Sequence, residues 1–201
     1  MSKSISTDVT GAWLESHDPG ERKFIKIGSL VLENGETLPD VTIAYQSWGV
    51  LNTDKSNAIL INHAMTGWSD VPGWWPNMVG PGLPFDTDKY FIICPNVIGG
   101  CQGSTGPSSI SPDGKRYGSR FPEVNIRDMV AAELAFSDAL GVEKYVLAVG
   151  PSLGGMMGDS TSTSHRRNLH NRFICSCYRR SDRWIFGTDS CNQNRSTLSW
   201  W

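Results

Sequence analysis

The run Lys144–Val149 (KYVLAV) leads straight into Gly150-Pro151-Ser152-Leu153-Gly154, and this junction constrains the 201-residue chain more than any other stretch. It is G-x-S-x-G at the end of an apolar strand, the pattern of a nucleophile elbow. A turn this tight between strand and helix strains the central Ser and holds its Oγ clear of the sheet. The positions two before and two after the Ser face crowded backbone, where Gly fits. The Leu153 N–H would then point at a developing oxyanion. The bland alternative is a Gly-rich turn with a capping Ser, and the buried strand in front weighs against it.

The text upstream supplies the rest of a sheet. Lys23–Leu32 alternates as a strand, Asn34-Gly35 signals a hairpin because both residues tolerate positive φ, and Leu38–Gln46 returns. Asn57–Asn62 (NAILIN) and Tyr90–Cys94 (YFIIC) are short apolar runs of the kind buried in a sheet centre. Asn125–Leu140 predicts a helix, with Asn125 as cap, Asp128 in the first turn and Gly141 behind it. Its apolar face is expected to hold Ile126, Met129, Val130, Leu134 and Leu140. A hairpin followed by apolar strands with long crossovers predicts an α/β class, a mostly parallel sheet with an N-terminal antiparallel hairpin.

A second oxyanion donor belongs in the loop after an earlier strand. Asn57–Asn62 runs into His63-Ala64-Met65-Thr66-Gly67, and the Met65 N–H is the candidate. His63 at a strand end reads more readily as a residue bonded to buried backbone than as a base. Asn96–Pro107 carries four Gly, which permit close approach of backbone to a ligand or to another segment. Neither G-x-G-x-x-G opening a helix nor Gly-Lys-Ser/Thr is present, so it is no phosphate cradle. Cys101 has no usefully spaced His and reads as a small loop side chain.

Composition changes near Gly158. Residues 1–157 hold 11 Lys+Arg against 17 Asp+Glu, while residues 158–201 hold 7 Arg against 3 Asp. The second segment shows no sustained period and reads as an aberrant, poorly ordered tail such as a shifted reading frame would produce. His165, His170, Cys175, Cys177 and Cys191 lie there at spacings that match no common zinc site, so no metal is expected. The overall charge of -2 argues against nucleic acid as a partner. No long apolar run predicts a membrane span, and the N-terminus lacks a secretory apolar core. Five Cys, an odd number, fit a reducing, cytoplasmic setting.

Taken together, IAYQSWGVLN, SNAILINHAMTGWSDV, the stretch from GPGLPFDTDKYFIICPNVIGGCQGSTGPSS to NIRDMVAAE, and VGPSLGGMM resemble the homoserine O-acetyltransferases, of the α/β-hydrolase fold. The resemblance covers about residues 20–157 and ends at Met157. It implies a truncated α/β-hydrolase fold in residues 1–157, with 158–201 outside it. It also implies acetyl transfer from acetyl-CoA, as co-substrate, to the hydroxyl of L-homoserine in methionine biosynthesis. Ser152 matches the family's nucleophile, and Met65 and Leu153 its oxyanion donors. No bound cofactor is expected, and full-length members offer a precedent for a homodimer. A succinyl donor, a serine acceptor, or a hydrolase of the same fold stay open. The triad acid and base follow the nucleophile in this fold. Asp159, Asp182, Asp189, His165 and His170 are the residues available; His165 and His170, only 13 and 18 residues past Ser152, are poor substitutes, and no acid or base is assigned.

Overall fold

The structure, a computed structural model, describes Trp13, Asp18, residues 20–164, and the backbone of residues 176–180 and 183–187. Lys23–Val31 (β1) and Thr37–Trp48 (β2) form the expected opening hairpin, from Lys23 opposite Tyr45 to Val31 opposite Thr37. Only half of the Asn34-Gly35 argument holds. Gly35 takes φ 86°, but Asn34 does not enter the left-handed region. Its Oδ1 instead accepts the Glu36 N–H at 2.9 Å, while Leu32 N–H reaches Glu36 O at 2.8 Å. The connection is therefore longer than a two-residue turn.

Ala58–Ile61 (β3) follows, then Val71–Trp74 (α1) and a short parallel pair, Val79–Gly80 (β4) with Phe85–Asp86 (β5). Phe91–Pro95 (β6), Ile126–Leu140 (α2), Tyr145–Val149 (β7) and Leu153–Ser164 (α3) complete the site-bearing part. The main sheet has the order β1-β2-β6-β3-β7. β2 meets β6 antiparallel, and β3 lies parallel to both β6 and β7. All four β3 residues are buried. Their alternation sends Leu60 into one cluster with Ile93, Leu38 and Phe136, and Ile59 and Ile61 into another with Ile92, Val71 and Phe85. Both faces of the sheet are covered, which is why these strands read as continuous apolar runs.

α2 starts and stops as expected. The Asn125 side chain accepts from the Arg127 and Asp128 N–H groups, Asp128 accepts from the Asn125 N–H, and Gly141 closes the helix at φ 79°. The second Asp128 oxygen takes the Glu33 N–H at 2.8 Å, tying the helix start to the β1–β2 loop. The buried face is wider than the five expected residues. Phe136 is the deepest, beside Ala132, Glu133 and Ser137, because α2 packs against both β1 and α3.

Past Met157, α3 continues to Ser164 through Ser160-Thr161-Ser162-Thr163, residue types whose hydroxyls compete with the helix backbone. Ser176–Arg180 (β8) and Arg183–Gly187 (β9) then pair antiparallel, an element no periodicity had indicated. The rest of the proposed tail lies outside the described residues.

Candidate active site

β3 and β7 end side by side. Ile61 lies opposite Val149, and the Asn62 N–H donates to Val149 O at 2.8 Å. The chain then turns through Gly150-Pro151-Ser152 and enters α3 at Leu153. Ser152 holds φ 54°, the left-handed region, a conformation that strains a residue bearing a Cβ by about 1–3 kcal/mol. Its carbonyl accepts from Gly155 N at 3.0 Å and Met156 N at 3.2 Å, so Ser152 stands as the cap of α3. The Leu153 N–H is the first of that helix and has no carbonyl one turn behind it. It lies at the positive end of the helix dipole.

The two glycines are required by the neighbouring strand. A Cβ on Gly154 would come within 2.6 Å of the Asn62 carbonyl carbon and 2.9 Å of His63 O. One on Gly150 would lie 2.8 Å from the Gly154 carbonyl carbon and closer still to Asn62 O. The elbow is thus pressed, backbone on backbone, against the end of β3. That contact brings Ser152 and Leu153 beside the loop that carries Met65.

In that loop the Gly67 N–H closes a turn onto Ala64 O at 2.8 Å. The Met65 side chain is 74% exposed, and its N–H meets no acceptor among the described residues. His63 is 3% exposed, and both ring nitrogens are engaged with backbone. Nδ1 lies 2.6 Å from Ala64 O, and the Val97 N–H points at Nε2 from 3.4 Å. Burial lowers the imidazole pKa and keeps the ring neutral. His63 is the one histidine among the described residues, and it bonds to buried backbone as its position suggested.

The Gly-rich loop after β6 closes on the scaffold rather than opening to a ligand. Thr105 N–H reaches Thr42 O at 2.9 Å, Thr42 N–H reaches Thr105 Oγ1 at 2.8 Å, and Ala44 N–H reaches Ser104 Oγ at 3.0 Å. Ser104 Oγ donates in turn to Asn96 O at 2.5 Å. Cys101 is exposed, with Gln102 Nε2 3.9 Å from its sulfur. Sequence reasoning missed the buried polar residues that join these loops. Asn96 Nδ2 donates to Gln102 O at 2.7 Å and to Ser69 Oγ at 3.2 Å, and Ser69 donates to Gln46 at 2.9 Å. Asn62 is buried with its side-chain amide unpartnered among the described residues. The available signal was that Asn62 and Asn96 each end an apolar run.

A separate hollow of about 460 Å³, lined by Trp13, Phe24, Thr42, Thr105 and Tyr117 among others, includes neither Ser152 nor Met65. Among the described residues no cluster of His, Cys, Asp or Glu could hold a metal, and no helix is long and apolar enough to cross a membrane. His165, His170, Cys175, Cys191, Asp182 and Asp189 lie outside the described residues, and Asp159 and Cys177 are described in backbone only.

The strand–elbow–helix unit beside the loop of residues 63–67 has a match among known families: residues 57–159 match the alpha/beta hydrolase fold. The chain belongs to this family. It is also a homologue of the homoserine O-acetyltransferases. It is 51% identical over 159 residues to the homoserine O-acetyltransferase of Thermobifida fusca, covering 74% of this chain and 42% of that protein. With the homoserine O-acetyltransferase of Mycolicibacterium smegmatis it shares 42% over 195 residues, covering 92% of this chain and 51% of that protein. That alignment runs past Met157, so likeness to this relative is not confined to the first 157 residues. The solved structure of esterase E22 is 31% identical at a TM-score of 0.72, covering 78% of this chain and 46% of that one. The chain spans about half the length, or less, of the relatives it matches.

Proposed function

We propose that these residues carry the nucleophile side of an acyltransferase that moves an acetyl group from acetyl-CoA to the hydroxyl of L-homoserine through an acyl-serine. The observation that carries this reading is Ser152 itself, a strained non-Gly residue at φ 54° that heads a helix beside a donor loop. Ser152 Oγ attacks the thioester carbonyl, and the Met65 and Leu153 N–H groups receive the developing oxyanion. The C–S bond breaks and CoA leaves as the thiol. The homoserine hydroxyl then attacks the acyl-serine and releases Ser152. Each step needs a base to take the attacking hydroxyl's proton, and His63 is unsuited because both of its nitrogens are committed. No acid or base is assigned in this chain. The likeness to esterase E22 favours a second reading, in which water takes the acyl group.

The test is a thiol-release assay with acetyl-CoA and homoserine. The 201-residue chain is expected to give no measurable release. A hybrid continued past Met157 with the C-terminal part of the Thermobifida fusca relative is expected to turn over, and Ser152→Ala in it to abolish turnover. Equal rates for chain and hybrid would overturn the incomplete-site reading and direct mutation to His165 and His170. Acetate release without homoserine at the same rate would support the hydrolase.

A further inference from the structure

The peptide between Ala64 and Met65 carries two groups of different use. In a trans peptide the carbonyl and the following N–H point in opposite directions within one plane. Among the described residues no peptide bond is cis, so fixing the Ala64 carbonyl fixes where the Met65 N–H points. Two donors fix it: the Gly67 N–H at 2.8 Å and His63 Nδ1 at 2.6 Å. For Nδ1 to donate it must carry the ring proton. Nε2 is then a bare acceptor, which is what the Val97 N–H facing it from 3.4 Å requires. One tautomer satisfies both contacts, and the other satisfies neither.

We propose that His63 is a positioning residue: locked in the Nδ1–H tautomer by the Val97 N–H, it holds the Ala64 carbonyl and thereby aims the Met65 N–H toward the acyl group on Ser152. This rests on the acyl-serine reading for its chemical consequence, but the aiming is a property of the chain alone. The ring joins two loops that leave neighbouring strands, β3 and β6, so the Gly-rich loop acts on the Ala64 carbonyl through the imidazole, while Asn96 to Ser69 links the same two segments further along. Removing His63 turns the donor without touching Ser152.

The experiment uses the full 201-residue chain with p-nitrophenyl acetate as acyl donor. Ser152 Oγ gains the acetyl group, the ester C–O bond breaks, p-nitrophenolate leaves, and the serine proton goes to solvent. Mass spectrometry reads the acylated serine, and ¹⁵N NMR reads the Met65 amide. Two variants divide the ring's roles. In His63→Asn the side-chain NH₂ takes the place of Nδ1 and can donate to Ala64 O. In His63→Gln the side-chain oxygen takes the place of Nε2 and accepts from Val97 only. The expected result is acylation about tenfold or more slower in Gln than in Asn, with the Met65 amide displaced in Gln. Equal rates in the two, or an undisplaced Met65 amide in Gln, would overturn the proposal. Should neither variant fold, the ring ¹⁵N shifts of the unmodified chain decide, since an Nε2–H tautomer is incompatible with it. With no base assigned in this chain, absence of acylation at Ser152 leaves the acyl-serine reading to the hybrid, and the Met65 amide then decides the positioning alone: an undisplaced amide in Gln would overturn it.

Discussion

Two glycine-rich loops leave the same end of the sheet, and they use glycine to opposite ends. At the elbow, Gly150 and Gly154 let the backbone press against Asn62, and the residue between them is forced into a strained conformation that frees its hydroxyl. In the loop after β6, Gly103 lies against Ala44, and the hydroxyls of Ser104 and Thr105 are spent on β2 backbone. Glycine content alone therefore does not mark a reactive site. What marks it is whether the intervening polar residue is left with a partner.

The comparison breaks most visibly at the elbow. Gly154→Ala is expected to lower the unfolding free energy by about 3 kcal/mol, read by urea denaturation, because the obstructing atoms are backbone and cannot swing aside. A tolerated Ala would mean the elbow is looser than its geometry. Next in size, Ser104→Ala should lower stability by about 2 kcal/mol, since it leaves the buried Ala44 N–H and Asn96 carbonyl each short of a partner. Ser152 acylation should stay within about twofold of the unmodified rate; a larger fall would mean the two loops are not separable. At Ser152, replacement by Gly should give a chain about 1 kcal/mol more stable than replacement by Ala, because Gly alone relieves the positive φ. Equal midpoints for the two would remove the strain from the account.

The smallest expected effect concerns pH. His63 titrates below its unfolded value, so the unfolded chain binds the proton more readily. Its contribution to stability is complete above pH 6.5 and is lost as pH falls below that value. His63→Gln should remove this part of the measured slope of stability against pH below 6.5. An unchanged slope would show that another group carries the acid sensitivity.

The elbow and the central strands were legible because each rests on a local rule. An apolar run reports burial on both sheet faces, and glycine two residues either side of a serine reports backbone crowding. The ends of α2 were legible for the same reason, since Asn125, Asp128 and Gly141 act within a turn of themselves. The breadth of its buried face was not, because Phe136 packs into the cluster of the sheet while Val130 packs with Leu153 and Met157 of α3, and no period along one helix encodes two neighbours. The network of Gln46, Ser69 and Asn96 was hidden for a related reason. Its members come from β2, the segment before α1 and the end of β6, and a polar residue's partner across the fold leaves no mark on its own neighbours in the chain. The β8–β9 pair carried too little alternation to stand out, because five residues in a two-stranded ribbon need no continuous apolar face.

β3 sits near the centre of the sheet with no partner close to it in the chain. Ala58 pairs with Phe91 on one side and Tyr145 on the other. As the polypeptide emerges from a ribosome, this apolar strand must wait for β6 and then, much longer, for β7 before its second edge is closed. Loop-closure entropy is met before those contacts return anything, which places the assembly of the sheet late and makes it slow. The elbow follows β7 directly, so the strain at Ser152 can be imposed only after that last pairing. The strained elbow is thereby among the last parts to acquire its shape, and a chaperone that shelters the nascent strand would be guarding Ser152 as well.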